Sequence, residues 1–356
     1  MTLPARAPFA AHGALGLAAV EIDAYNAELR DDDGFIGDRA SNRAFRAILE
    51  DWRERLRQVA GDDPLGDVAS DDISKKKLDK VLLEGDPEAA GVVHAAIEDF
   101  ARELATVTAR LLRTKEWKGT QRIAVGGGLR ASRVGELSIG RASVMLKSEG
   151  HAVDLSPIGH DPDEAGLLGA MHLAPAWIFA GYDAVLALDI GGSNFRAGIV
   201  ALGTSKKSHE LSQASVHASE LWRHCDDKPK RAEAVARLVQ MLEGLMKRAA
   251  KDKLSLAPFI GVGCPGVIEE DGSISRGGQN LPGNWESSRF NLPASLCEAI
   301  PKIGEHHTHV VMHNDAVVQG LSEVPTMSDV EHWGVLTIGT GLGNARFTNR
   351  PTESAG

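Results

Sequence analysis

The chain has 356 residues, 43% of them hydrophobic and 25% charged, and a formal net charge of −10. That length exceeds what one core organises and predicts two lobes, and an acidic balance with no offsetting basic block argues against a nucleic-acid partner. No apolar run reaches bilayer length, no secretory leader is legible, and Cys225, Cys264 and Cys297 have no paired spacing, so a cytoplasmic protein without membrane contact, disulfides or a CxxC-type zinc site is expected.

Taken in order, residues 1–40 show little pattern, and Asp31-Asp32-Asp33-Gly34 reads as a loop. Ser41 is placed to cap a helix with Phe45, Ile48, Leu49, Trp52, Leu56 and Val59 on one face, stopped by Gly61. Residues 61–77 are charged and irregular, and Lys75-Lys76-Lys77 reads as a solvated face. Asp86-Pro87 opens a stronger helix whose stripe of Val93, Ile97, Phe100, Leu104, Val107 and Leu111 is core packing. A strand at 122–125 leads into Gly126-Gly127-Gly128; a helix over 135–147, a strand over 152–155 and a helix over 165–173 follow. Gly166, Gly169 and Ala170 on that last helix allow close approach of a neighbour.

Residues 184–202, AVLALDIGGSNFRAGIVAL, read as two strands joined by a glycine turn, with Asp189 near the tip of the first. An ordinary surface hairpin has this pattern. So does a turn whose amides meet phosphate oxygens while the carboxylate holds magnesium through water. An amphipathic helix spans about 230–250, with Val235, Leu238, Leu242, Leu245 and Ala249 inward. Strands follow at 259–262, 309–312 and 333–338, and a helix begins at 316. Strands alternate with helices, so the fold class is α/β.

Two segments match a dinucleotide fingerprint literally. Gly126 to Ala131 has Glu149 near the distance of a ribose ligand, whereas Gly261 to Gly266 is followed by an apolar pair that suits a turn into a strand. An NAD-dependent oxidoreductase therefore stays among the alternatives. No GxxxxGK[ST] occurs, so a nucleotide would be held without a Walker lysine. Asp315 follows Asn314 at the end of a strand, where the pair reads either as a helix cap or as a base beside an amide. His313 reads as a packing residue. The cluster His306-His307-His309 lacks ligand-type companions, and Cys264 beside Pro265 reads as inert.

Together these stretches resemble the ROK family of sugar kinases, within the actin-like ATPase superfamily. LALDIGGSNFRAGIV is similar to its first phosphate motif, and IGVGCPGVIEEDGSI with QNLPGNW and FNLP to its sugar-side segment. HNDA resembles its catalytic-aspartate motif and LTIGTGLGNA its second phosphate motif. GDPEAAGVVHAAIEDFARELATVTARLL, RIAVGGGL and DEAGLLGAMHLA resemble the family's C-terminal part, yet here they come first. The resemblance thus implies a two-lobed actin-like (ribonuclease H-like) fold in circularly permuted order, the pieces joined through Ala174 to Tyr182; a fusion of two adjacent fragments is the rival account. The expected division is a large lobe over 1–180, a small lobe over 181–330, and 331–356 rejoining the large lobe.

The same resemblance implies an ATP-dependent kinase acting on a hexose hydroxyl, glucokinase-like, with Mg²⁺ as the companion ion. Asp315 is the implied general base. Asp189 would organise Mg²⁺ through water, and Gly191, Gly192, Ser193 and Asn194 would meet the terminal phosphates from one lobe. Gly339, Thr340 and Gly341 would meet them from the other. Gly126, Gly127 and Gly128 would let the backbone approach the adenosine, and Asn280 and Asn314 would hold the sugar. The family's Glu-Gly-His sugar contact and cysteine-rich zinc motif have no recognisable counterpart, so no structural zinc is expected, and Glu21 and His12 are the available substitutes for the sugar contact. A non-catalytic, sugar-sensing regulator is the alternative function. A homodimer is compatible with the family, and oligomeric state is left open.

Overall fold

The computed structural model describes residues 11–32, 34–203 and 211–351. Strands and helices alternate along them in a mixed α/β arrangement, and they group into two compact units. Unit 1 takes in residues 11–26, 163–203, 211–329 and 347–351; unit 2 takes in 27–32, 34–162 and 330–346. The division therefore falls between Pro162 and Asp163, and residues 163–180 group with unit 1 instead of with the chain before them.

In unit 1 the sheet order is His309–Asn314, Leu256–Cys264, Ala184–Ile190, Phe195–Ala201, Ser215–Trp222. The first three strands are parallel, and each of the last two is antiparallel to the strand before it. All seven residues of Ala184–Ile190 are buried, which explains the unbroken apolar run: a central strand covered on both faces has no solvent side to alternate with. Leu186, Leu188 and Ile190 pack with Leu238, Leu242 and Leu245 of the helix Arg231–Lys251. Asp189, on the opposite face, meets Gly166 of the short helix Ala165–Ala170. That helix continues as a 3-10 turn over Met171–Leu173.

The second five-stranded sheet has the order Val20–Tyr25, Leu342–Asn349, His332–Ile338, Arg122–Gly126, Asp154–Pro157. His332–Ile338, Arg122–Gly126 and Asp154–Pro157 run parallel. In unit 2 the core is built by Asn42–Ala60, Pro87–Leu112 and Arg133–Ser148. The expected stripe of Pro87–Leu112 is buried from Val93 to Leu111, and Phe100 meets Phe45 edge-on at 5.6 Å. Ser41 and Asp86 cap their helices and Gly61 ends the first with φ 71°. Val59 departs from the expected face: it is 90% exposed, on the last turn before Gly61.

The two sheets share one plan. Each has a hairpin with a glycine-containing turn, a third strand beside the hairpin's second strand, and two parallel strands beyond its first. In unit 1 the chain supplies these positions in order. In the second sheet the hairpin comes last in the chain, and the other three strands come from its first half.

Several local expectations shift. The loop expected over 31–34 contributes to a two-residue ladder, Arg30–Asp31 against Gly34–Phe35, with Asp33 outside the described residues. The lysine run lies within a helix, Lys75–Glu84, capped by Ser74. Arg53, fully buried on the inward face of Asn42–Ala60, binds Asp63, Ser70 and the Gly66 carbonyl, so the charged stretch after Gly61 is pinned to it. No helix among the described residues is long and apolar enough to cross a membrane.

Candidate active site

The three parallel strands of unit 1 end together at Ile190, Cys264 and Asn314, and the carboxyl edge of such a sheet is where ligands bind in open α/β folds. Register sets Asp189 beside Gly263 and Gly263 beside His313. Asp189 is 2% exposed. Its antiparallel partner is Arg196, which donates from Nη1 to Asp189 Oδ2 at 3.2 Å and, through Nε and Nη2, to Asp163 Oδ1 at 2.9 and 2.6 Å. Burial pushes the Asp189 carboxyl above the ordinary range, and the Arg196 charge and hydrogen bond offset part of that. The guanidinium also loses hydration by burial, but the two carboxylates outweigh this and hold it charged.

Gly166 makes room for this carboxylate. A Cβ there would lie 2.5 Å from Asp189 Cγ, so any larger residue would displace the side chain. Asp315 opens the helix Asp315–Leu321 immediately after the edge strand. Its carboxyl is pushed up to about 7, first by burial and then by the negative charge of Asp189; the Ala316 amide, 2.9 Å away, pulls slightly the other way. The Cys264 thiol, fully buried, is raised by its burial and by both carboxylates, so it stays protonated and inert.

Asn314 is a helix cap. Its Oδ1 accepts from the amides of Ala316 and Val317, and its Nδ2 donates to the Gly266 carbonyl at 2.9 Å. Gly266 has φ 104° and stands where a Cβ would come within 2.4 Å of the Arg276 carbonyl, so this turn requires glycine. The side chain thus fastens the Gly266 turn to the start of the Asp315 helix. Asn280 is exposed in the turn beyond Gly278, apart from that network. His313 is buried: Nδ1 accepts from the Asn314 amide and Nε2–H donates to the Ala14 carbonyl. Burial drives its pKa down to about 4, so it is a neutral packing residue. His12 accepts from the Met312 amide and Glu21 pairs with Arg350, so both are engaged in structural contacts.

In the turn after Ile190 the carbonyls point back into protein. The Asn194 carbonyl accepts from the Gly191 amide at 2.9 Å, the Gly191 carbonyl from His224 Nε2–H at 2.9 Å, and the Ser193 carbonyl from the Cys225 amide at 3.3 Å. His224 itself is buried against Phe195, ring centroids 4.3 Å apart. A turn that withdraws its negative dipoles in this way suits an anion. No sequence motif marks His224; only the fold brings it to Gly191.

Unit 2 carries the other glycine loops. Gly127 has φ 88°, and a Cβ on it would lie 2.2 Å from the Ile338 carbonyl, so the loop after Arg122–Gly126 presses directly on the strand that feeds Gly339-Thr340-Gly341. The Gly339 amide donates to the Gly341 carbonyl at 2.9 Å, the counterpart of the Gly191 to Asn194 bond. Glu149 caps the C-terminus of Arg133–Ser148, ahead of the next strand. A ribose ligand would stand at that strand's far end, so the fingerprint at 126–131 lacks its acidic partner. His306 and His307 lie exposed on a two-residue strand, and no group of three metal-ligating side chains is present among the described residues.

Comparison with protein-family models and with curated proteins gives no match. Among solved structures, a candidate N-acetylmannosamine kinase from Listeria monocytogenes is 23% identical, with a TM-score of 0.33, over 47% of this chain and 47% of that one. A candidate sugar kinase from Cytophaga hutchinsonii is 18% identical, with a TM-score of 0.33, over 47% of this chain and 48% of that one. The chain spans about half the length of each of these proteins.

Proposed function

We propose that the chain is an ATP-dependent sugar kinase of the ROK type, with Asp315 as the general base. The observation that carries this reading is the pair of carboxylates at one sheet edge, buried Asp189 and half-buried Asp315, the second of them raised to about 7. A carboxyl titrating near the working pH is suited to take a proton from a hydroxyl as its oxygen attacks phosphorus. Phosphoryl transfer otherwise needs positioning and charge neutralisation, and the turn at 191–194, with its carbonyls drawn back into protein, suits that task. The resemblance assigns Gly191, Gly192, Ser193, Asn194, Gly339, Thr340 and Gly341 to phosphates, and Gly126, Gly127 and Gly128 to adenosine. Asn280 would contact the sugar, while Asn314 would act mainly by fixing the Gly266 loop beside it.

The donor set fits magnesium: Asp189 is a hard oxygen donor whose arginine partner is shared with Asp163. Asp189 would hold the ion through water, and the ion would offset phosphate charge. The shared plan of the two sheets supports an actin-like fold, and the late hairpin of the second sheet supports circular permutation of it.

A coupled assay for ADP release with a panel of hexoses and N-acetylhexosamines tests the activity. One sugar is expected to stimulate release, and Asp315→Asn to lower that turnover by about 10²–10⁴-fold with nucleotide affinity nearly intact. Undiminished turnover in the variant would remove the mechanism. Sugar binding without ADP release would favour the regulator.

A further inference from the structure

The lysine run at 75–77 was expected to be solvated, and for Lys76 and Lys77 it is: both are exposed. Lys75 is different. It is half-buried, and its ammonium donates to the Gly128 carbonyl, inside the glycine loop read above as a nucleotide loop. A Cβ at Gly128 would stand 3.0 Å from Lys75 Nζ, so the absence of a side chain there is what lets the ammonium approach the loop. The helix that carries Lys75 is held in place from its own next turn, where Asp79 Oδ1 accepts from the Val134 amide at 3.1 Å.

A second group stands at the same place. Asn42 donates its backbone amide to the Gly339 carbonyl at 3.0 Å and its Nδ2 to the Ile338 carbonyl at 3.4 Å. Its Nδ2 would lie 4.0 Å from a Cβ on Gly128, and its Oδ1 is buried with no hydrogen-bond partner. An acceptor left in that state calls for a donor, a water or a ligand group. Lys75, Gly128, Asn42 and Gly339 therefore line one strip of unit 2 that offers a cation at one point and an unmatched acceptor at another.

We infer that Lys75 is a binding residue for the anionic part of a nucleoside di- or triphosphate, a cation this chain supplies in the absence of a Walker lysine. Asn42 Oδ1 accepts from a hydroxyl or amino group of the same ligand. The assignment rests on the reading of the unit 2 glycine loops as nucleotide loops. An ammonium carries three donors and a charge, so a phosphate can join the contacts that Lys75 already makes, the Gly128 carbonyl among them.

Equilibrium binding of ADP and of adenosine to the full chain, by calorimetry, tests it. Lys75→Met is expected to weaken ADP by about 10-fold or more, the scale of one charged hydrogen bond, with adenosine affinity unchanged. Lys75→Arg should retain most of the ADP affinity, and Lys77→Met should bind both ligands as the unaltered chain does. Unchanged ADP affinity in Lys75→Met overturns the inference. So does an equal loss for ADP and adenosine, which would make Lys75 a support for the loop only. If the unaltered chain binds neither ligand, the nucleotide reading of unit 2 fails first and the assignment falls with it.

Discussion

Burial acts on His313 and Asp315, two residues apart, in opposite directions with one result: each is pushed toward its neutral form. If Asp315 is the base proposed above, its free carboxylate is the working form, so kcat/KM for the sugar should fall as pH drops below about 7, and a pH profile checks it. The stability signs are opposed. Native Asp315 keeps its proton up to about pH 7 while the unfolded carboxyl loses it near 3.8, so its contribution declines as pH rises through that window. His313 titrates at about 4 when folded and 6.5 when unfolded, so its contribution is complete above 6.5 and is lost as pH falls toward 4. Urea unfolding should therefore show a shallow pH dependence for the unaltered chain. Asp315→Asn should instead gain stability steadily from pH 4 to 6.5, and exceed the unaltered chain at pH 8 by on the order of 1–3 kcal/mol. An Asp315→Asn curve as flat as the parent's would remove the His313 account. At this scale the sequence shows Asp189 and Asp315 through their motifs. It hides Arg196 as the partner of Asp189 and His224 as the support of Gly191, because both depend on strand register and on a contact 33 residues apart.

Among elements, the short helix Ala165–Ala170 decides where Asp189 can sit. Gly169 lies so close to its neighbour that a Cβ would fall 1.6 Å from the Val318 carbonyl, and Gly261 brings the strand Leu256–Cys264 within 2.4 Å of the Ala170 carbonyl on the same test. Gly169→Ala should cost about 1–3 kcal/mol or more in urea unfolding because the Val318 backbone it meets cannot yield, and Gly166→Ala a similar amount because the Asp189 carboxylate it meets is buried and tied to Arg196. Gly166→Ala should also reduce turnover, since it displaces a carboxylate. Gly244, mid-helix in Arg231–Lys251, has nothing within 4 Å of a Cβ, and Gly244→Ala should stabilise by about 1 kcal/mol. Equal effects at 166 and 244 would contradict the packing account. The small-residue spacing of 165–170 is visible in sequence, whereas the partner it admits is not. Helices with full apolar stripes, such as Pro87–Leu112, are legible for the same reason they are stable. Ser215–Trp222 escapes notice because it is an edge strand whose residues alternate between exposed and half-buried, which leaves no apolar run to read.

For the whole molecule, the order of strands carries the argument for permutation. In the second sheet Val20–Tyr25 lies beside Leu342–Asn349, and the Arg350 amide donates to the Ala19 carbonyl at 2.9 Å. Within unit 1 the Arg350 side chain also reaches Glu21, and Thr348 donates to Asp23. Residues 350 and 19 are thus as close as the two sides of a hairpin, so a chain running from the first into the second would need only a loop. The segment expected to join the two pieces of a permuted chain passes through Ala180 and Gly181, an exposed turn with φ 91° at the glycine. Opening this exposed turn gives up the Tyr182-to-Phe179 turn bond but, like closing a hairpin, leaves the sheet hydrogen bonds in place, so it costs little. We therefore expect a reordered chain, starting at Gly181, running to Gly356 and continuing through a short glycine-serine linker into residues 1–180, to fold to the same circular dichroism spectrum. It should keep the size of the parent in gel filtration and, where the parent binds ADP, bind it within about threefold, since the residues proposed to face the ligand are unchanged. If the two pieces were instead a fusion whose halves complement each other between subunits, the parent would be an obligate dimer. Reordering would then alter its assembly, and a shift in gel-filtration size would decide for that account against permutation.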